Sequence, residues 1–294
     1  MRVFVTGATG FIGQAIVREL RGAGHGVLGL ARNDAAADTL ARLGIDVQRG
    51  DLTDPVGLAS AAHVCDGVIH TAFIHDFNAF EQSVATDLRA VEALVAALEG
   101  SNKPLVITTG TALLPAGRVA TEDDMPPPAA PRAASEAAVL AASERGVRGS
   151  IVRLAPSVHD AGDHGFVPRL VELARRTGVA AYIGDGANRW PAVHRLDAAR
   201  LYRLALEKAA PGTRLHGTGE EGIPMRTIAE TIGSGLGVPT RSLTQDAAQA
   251  HFEWLARFVA IDNPTSSART RSTFGWEPKG KGLIADMRES GYFD

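Results

Sequence analysis

The chain has 294 residues, of which 45% are hydrophobic and 21% charged, and its formal net charge is −3. This balance is typical of a globular protein with one large core or a core domain and a smaller lobe, and it argues against nucleic acid or an anionic membrane as a partner. A single cysteine, Cys65, excludes an internal disulfide, and no apolar run is long enough to span a bilayer, so we expect a soluble, cytoplasmic protein.

The first half of the chain alternates short apolar runs with helical segments. The predicted strands are RVFVT, GVLGLA, IDVQRG, GVIHTA, KPLVITTG and RGSIVRLA, and the longest helix between them is predicted from about Phe77 to Leu98. Near-continuous apolar strands separated by helices indicate a parallel sheet covered on both faces. Right-handed crossovers then make a doubly wound α/β Rossmann sheet the first choice.

The pattern loosens after Arg153, and from Pro211 onward short helices, glycines and prolines alternate without a clear sheet pattern. We therefore predict a dinucleotide-binding domain over residues 1–154, with residues 190–210 packing on it. A smaller, mostly helical substrate lobe is predicted over residues 155–189 and 211–294.

The segment TGATGFIG follows the first strand and opens the first helix, with Gly7, Gly10 and Gly13 spaced three apart. Such glycines allow a tight turn and a close approach of backbone to a pyrophosphate, whose charge the helix N-terminus favours. This context predicts a dinucleotide site.

Several further segments occur in a familiar order. They are GDL at Gly50 to Leu52, HTAF at His70 to Phe73, VRLAPSVH at Val152 to His159 and VHRLDAAR at Val193 to Arg200. Together with the glycine segment, they resemble the extended short-chain dehydrogenase/reductase family, which includes nucleotide-sugar epimerases, dehydratases and 3β-hydroxysteroid dehydrogenases. The resemblance covers nearly the whole chain and implies NAD(P) in the crevice of the sheet. The cofactor contacts it implies are Gly7, Thr9, Gly10, Phe11, Ile12, Gly13, Asp51, Leu52, Thr71, Ala72, Phe73 and Pro156.

The end of the second strand bears on the choice of cofactor. NAD binders place a carboxylate there for the ribose diol, whereas this chain has Ala31, Arg32 and Asn33. An arginine suits a 2′-phosphate, so we predict NADP(H) over NAD, with Arg32 and Asn33 among the contacts. Asp34 is interpreted as a helix cap, and an Asx turn is the alternative role for Asp51.

The family's catalytic pair is a tyrosine acid and a lysine four residues later. Aligning RAASE with that motif puts Arg132 at the tyrosine position and Glu136 at the lysine position. We interpret these two residues as a solvated ion pair at the start of a helix. The alternative is an arginine directed at a substrate oxygen.

Replacement groups are expected on loops at the carboxyl ends of the strands. Thr109 and Thr111 would form an oxyanion clamp, and His75 would supply the proton, with its pKa raised by Asp76 or another carboxylate. His159 is expected to contact the substrate.

No metal site is predicted. His75, His159 and His164 are the candidate ligands, but no pair of them has metal-ligand spacing on one helix.

The leading hypothesis is therefore an NADPH-dependent oxidoreductase acting on a carbonyl or related group of a small molecule. A non-catalytic NADP(H)-binding sensor and a cofactor-dependent isomerase, lyase or cyclase remain open. The resemblance also implies a homodimer through the long helix and the helix after Ala133, whose small residues allow close packing. Packing of the same residues on the sheet is the alternative.

Overall fold

A computed structural model describes residues 1–76 and 78–294. The strands in the described part are β1 Arg2–Thr6, β2 Gly26–Ala31, β3 Asp46–Arg49, β4 Gly67–His70, β5 Pro104–Gly110, β6 Arg148–Leu154, β7 Ser157–His159, β8 Ala180–Ile183, β9 Arg189–His194, β10 Thr213–Gly217, β11 Glu220–Pro224 and β12 Thr240–Leu243. The α-helices there are α1 Phe11–Gly22, α2 Asp34–Arg42, α3 Pro55–His63, α4 Phe80–Leu98, α5 Ala133–Ala142, α6 Phe166–Thr177, α7 Arg195–Lys208, α8 Met225–Leu236, α9 Gln245–Phe252, α10 Ala256–Val259, α11 Ala268–Phe274 and α12 Leu283–Glu289.

Seven parallel strands form the central sheet in the order β3-β2-β1-β4-β5-β6-β10. After β1, the chain forms β2 and β3 toward one edge of the sheet. It then returns and forms the other half, starting with β4 beside β1. The direction of winding therefore reverses between β1 and β4, and in open sheets ligands bind outside the carboxyl ends of the strands at that point. This confirms the predicted doubly wound α/β fold.

Two apolar cores cover the sheet. On one face α1, α2 and α7 bury residues such as Ile16, Leu40 and Tyr202. On the other face α3, α4 and α5 bury Leu94 and Val139 among others. Because both faces are covered, the strands read as continuous apolar runs rather than as alternating patterns.

Two boundaries differ from the sequence expectation. Thr213–Gly217, expected in the lobe, pairs with β6 and forms an edge of the central sheet. The long helix begins at Phe80, and Phe77, where the sequence suggested its start, lies outside the described residues. The short β10 was missed because its sequence, TRLHG, lacks a β-branched run.

The remaining elements build a lobe with its own core. A three-stranded sheet β11-β9-β7 and a two-stranded sheet β12-β8 accompany its helices, so the lobe contains more strand than the sequence suggested. Its core includes Trp190, whose ring stacks on Phe166 at 4.2 Å between centroids. None of the described helices is both long and apolar enough to cross a bilayer.

Candidate active site

The glycine turn between β1 and α1 is built as a dinucleotide site requires. Gly7 has φ +72°, and a Cβ there would lie 2.8 Å from Thr71 Oγ1. A Cβ on Gly13 would lie 1.9 Å from the Gly7 carbonyl oxygen. Gly10 caps α1 without a side chain, and no acid occupies the first turn. The first amides of α1 therefore remain available to an anionic group, which fits a pyrophosphate.

The side chains around this turn are half-buried. Thr9 has its carbonyl engaged by Gln14 Nε2 at 2.9 Å, and Ile12 packs on the core beneath α1. Phe11 lies beneath the Arg195 guanidinium, 4.5 Å from its ring centroid, and meets His164 edge-on. Phe11 is therefore where the glycine turn meets residues from beyond the nucleotide-binding half.

The end of β2 carries an exposed cation. Arg32 is solvent-exposed, and no hydrogen bond or ion pair joins its guanidinium to another described residue. Asn33, rather than the expected Asp34, caps α2 by accepting from the Ala36 amide at 2.9 Å. Asp34 instead pairs with Arg49 at 2.7 Å. That pairing reduces the repulsion that Asp34 would exert on an anion beside Arg32.

Asp51 forms the turn that was the alternative to a cofactor role. Its Oδ1 accepts from the Thr53 amide at 2.6 Å and from the Thr53 hydroxyl at 2.5 Å. These hydrogen bonds, helped by the charge of Arg32, lower the pKa of Asp51. The turn still leaves Oδ2 as an acceptor, and Leu52 beside it is buried.

The chain leaving β4 packs against the glycine turn. Thr71 Oγ1 donates to the Thr6 carbonyl at 2.8 Å, and the Ala72 amide donates to Thr6 Oγ1 at 3.3 Å. Phe73 follows, and its ring lies 4.7 Å from the Arg132 guanidinium. The end of β4 thus links the glycine turn to the start of α5. Pro156, the last expected cofactor contact, is half-buried between β6 and β7.

Arg132 is not solvated, and it does not pair with Glu136. Its Nε and Nη2 donate to the two carboxylate oxygens of Asp87, at 3.0 and 2.9 Å. Asp87 is fully buried on α4 and also accepts from Ser135 Oγ at 2.7 Å and contacts His70 Nε2 at 3.3 Å. Burial opposes its charge, but the hydrogen bonds of His70 and the charge of Arg132 outweigh it and lower the pKa of Asp87 to about 2.

Glu136 has a different partner. It is fully buried and accepts from Arg153 Nε and Nη2 at 3.0 and 2.6 Å. Arg153 is a buried β6 residue that also donates to the Asp124 carbonyl at 2.8 Å. The expectation of a solvated ion pair between Arg132 and Glu136 is wrong, because each charge finds an opposite charge on a neighbouring element of the core.

The two threonines expected to form an oxyanion clamp are both engaged. Thr109 Oγ1 donates to Glu136 at 2.6 Å, and Thr111 Oγ1 donates to Asn263 Oδ1 at 3.3 Å. A hydroxyl has one hydrogen to donate. In this arrangement neither threonine has a hydrogen left for a substrate oxygen.

His75 lies in the exposed loop after β4, with its ring 5.2 Å from that of Phe73. Partial burial of the imidazole and the charge of Arg132 lower its pKa. Asp76 was expected to raise that pKa, but its carboxylate accepts from the Asn78 and Ala79 amides instead. The expected direction of the shift is therefore wrong.

His159 is buried at the end of β7. Its Nδ1 lies 2.8 Å from Asp286 Oδ2, while Nε2 has no hydrogen-bond partner among the described residues. Its ring meets that of His194 edge-on.

His159 and the other two histidines considered as metal ligands do not form a ligand set in the described structure. The ligand atoms that converge instead, within 4.8 Å of one another, belong to Asp160, His194 and Asp286. Arg195 pairs with Asp160 at 2.9 Å, and a cation so close disfavours a metal ion there.

Sequence reasoning missed the charges that organise this site. Asp87 and Arg153 each lie within an apolar segment, VATDLRAV and SIVRLA. A charged residue is almost never fully buried without a partner, so an acid or a base inside a predicted core segment signals a hidden ion pair. The identity of the partner depends on the three-dimensional fold.

Comparisons with known proteins agree with this architecture. The model of the NAD dependent epimerase/dehydratase family matches residues 3–216. An uncharacterized protein of Schizosaccharomyces pombe is 46% identical over 295 residues and covers 100% of both chains. The 2-alkyl-3-oxoalkanoate reductase of Stenotrophomonas maltophilia is 31% identical over 81% of this chain and 77% of its own.

Solved structures share the fold. A dTDP-glucose 4,6-dehydratase from Streptomyces venezuelae, with NAD bound, superposes with a TM-score of 0.79 at 20% identity, over 100% of this chain and 96% of its own. At that identity the likeness establishes the fold alone.

Proposed function

Because the chain belongs to the NAD-dependent epimerase/dehydratase family and is an NAD(P)-dependent enzyme of the oxidoreductase type, we propose that it is an NADPH-dependent reductase. Its substrate would be a small organic molecule with a carbonyl or related group. The relative from Stenotrophomonas maltophilia, a 2-alkyl-3-oxoalkanoate reductase, supports a carbonyl substrate.

The observation that carries the choice of NADPH is the exposed Arg32 after β2, whose guanidinium forms no hydrogen bond or ion pair with another described residue. An NAD site would have an acid here, which would repel a 2′-phosphate. Asn33 uses its side-chain oxygen as a cap, which leaves its amide hydrogens as further donors. The glycine turn and the bare N-terminus of α1 would hold the pyrophosphate.

Calorimetric titration of NADPH and NADH tests this choice. We expect tighter binding of NADPH, and we expect Arg32→Ala to weaken it by about tenfold to a hundredfold, because a hydrogen bond to a charged group contributes about 1.5–3 kcal/mol. Arg42→Ala, at the other end of α2, is the matched control. Equal affinities of the wild type for the two nucleotides would refute the choice.

The bound, reduced cofactor supplies a hydride, and the chain must supply a proton to the product oxygen. We propose His75 as the proton source, since it lies in the loop after β4 near Phe73 and Arg132. Its lowered pKa means that a minor protonated fraction does this work at neutral pH.

We also propose that the protein acts in the cytoplasm as a homodimer through α4 and α5. Exposed small residues on these helices, Ala85, Ala134 and Ala137, permit close helix packing. Light scattering at micromolar concentration tests this, and the mass of a single chain would refute the dimer.

A further inference from the structure

We propose that Arg132 is a catalytic residue that binds the substrate through two oxygens, the carbonyl oxygen that is reduced and a second oxygen beside it. The substrates would then be oxo acids or dicarbonyl compounds rather than isolated ketones. This inference rests on the proposed reductase function and adds a substrate class to it.

The backbone at Arg132 is held in a conformation that an arginine rarely adopts. Arg132 has φ 64° and ψ 4° at the N-terminus of α5, in the left-handed region that favours glycine. Such strain persists where surrounding contacts fix it, and it is concentrated at functional sites. The contacts here are Asp87 and the ring of Phe73.

Asp87 acts as a positioning residue because it holds one edge of the guanidinium. It takes the Nε and Nη2 hydrogens and is itself fixed by Ser135 and His70. It is fully buried, so the fork between it and Arg132 is shielded from competing water. An arginine held in this way loses little freedom when its other hydrogens bind a ligand.

The rest of the guanidinium is unoccupied. Nη1 makes no hydrogen bond to any residue in the described part of the chain, and the Arg132 side chain is 14% exposed. Its five N–H donors lie in one plane, so the two that Asp87 uses leave a second fork on Nη1 and Nη2. Such a fork matches two neighbouring oxygens, which is the basis for the substrate class.

Arg132 lies beside the crevice at the carboxyl ends of β1 and β4. Thr71 Oγ1 touches the position where a Cβ of Gly7 would be, and Phe73 lies under Arg132. Arg132 is therefore joined to the glycine turn through the short segment that follows β4, at the point where the winding of the sheet reverses.

The proposed reaction is a hydride transfer followed by a proton transfer. Bound NADPH would supply the hydride by breaking a C–H bond of its dihydronicotinamide ring and would be left as NADP⁺. The hydride forms the new C–H bond at the carbonyl carbon, and the π-electron pair of C=O moves to oxygen. The resulting alkoxide takes a proton from the His75 imidazolium. Arg132 keeps its proton throughout, so it stabilises the alkoxide through hydrogen bonds that are stronger to the charged oxygen than to the carbonyl.

The test compares a 3-oxo carboxylate with the methyl ketone of the same length. The first measurement is calorimetric binding of each compound to protein saturated with NADP⁺, which cannot reduce them. We expect the wild type to bind the oxo acid at least tenfold more tightly than the ketone, and Arg132→Ala and Arg132→Lys to lose that preference. Arg203→Ala, which removes another partly buried arginine paired to carboxylates, on α7, should retain it.

The second measurement is turnover with NADPH. Arg132→Ala should lower kcat for the oxo acid by about 10²–10³-fold, as for loss of an oxyanion donor. Asp87→Asn should raise KM more than it lowers kcat, since the Arg132 guanidinium can still bind the substrate but is no longer held by a charged partner. Melting curves establish that each variant is folded. If Arg132→Ala does not fold, Arg132→Lys, which keeps the charge, tests the binding role of Arg132.

The outcomes separate the two proposals. If wild-type protein binds the oxo acid through Arg132 but consumes no NADPH with either compound, the reductase function is refuted and the binding role of Arg132 is kept. If Arg132→Ala and Arg132→Lys keep the preference for the oxo acid, or if Arg203→Ala alone loses it, the binding role of Arg132 is overturned and the reductase function is unaffected.

Discussion

On one side of the point where the winding of the sheet reverses, β1 to β3 carry a glycine turn, an open helix N-terminus and Arg32, whose guanidinium pairs with no other described residue. On the other side, β4 to β6 end among buried charges, with Asp87 bound to the partly exposed Arg132 and Glu136 bound to Arg153. The β1–β3 side keeps the Arg32 guanidinium and the first amides of α1 available to a ligand, whereas the charges at the ends of β4 to β6 are mostly used on one another. We propose that such a site keeps its cofactor chemistry while its acid–base chemistry is rebuilt.

The largest effect is expected from breaking the buried ion pair between Glu136 and Arg153. Arg153→Ala leaves Glu136 buried without a counter-charge, which costs about 3–5 kcal/mol of unfolding free energy. Urea unfolding measures this. The double variant Glu136→Leu with Arg153→Met should recover most of the loss, and Arg32→Ala should change stability by less than about 0.5 kcal/mol. If Arg153→Ala leaves the free energy of unfolding unchanged, the ion pair is not buried.

The same pair explains why restoring the family motif should fail. Arg132→Tyr together with Glu136→Lys would place a lysine against the buried Arg153 and leave Asp87 without its cation. We expect a destabilised protein without ketone reduction, measured by melting and by NADPH consumption. A stable, active double variant would show that the substrate side tolerates the family chemistry.

The next largest effect concerns His75. We expect His75→Ala to lower turnover by about 10²-fold while leaving NADPH affinity within about twofold. Because a general acid must be protonated, activity should fall as pH rises through the His75 pKa, which burial and Arg132 hold below its usual value of 6.5. The variant should lose that limb of the pH profile. Full activity would point instead to His159, whose Nε2 is unpartnered in the described structure.

The smallest effect is expected at Thr111. Its hydroxyl makes one long hydrogen bond to Asn263, so Thr111→Val should change turnover by less than about threefold. A loss of about 10²-fold in steady-state assays would restore Thr111 as an oxyanion donor.

These contrasts also show what the sequence can predict. The first six strands followed from short apolar runs, and the glycine turn followed from spacing and context, because both are set by local sequence. The partners of Arg132 and of His159 lie 45 and 127 residues away. Their pairing depends on how the elements pack, so local reasoning paired Arg132 with Glu136 and assigned His159 to the substrate. The charges inside apolar segments were the available signal.

We propose that this crevice supports carbonyl reduction with Arg132, rather than a tyrosine and lysine pair, at the start of α5. Single-turnover absorbance tests it most directly: protein loaded with one equivalent of NADPH is mixed with excess 3-oxo carboxylate, and the reduced nicotinamide is followed. We predict that the full equivalent is oxidised in the wild type and that oxidation is slowed by about 10²-fold or more in Arg132→Ala. Unchanged absorbance in wild-type protein that has bound both ligands would contradict the claim.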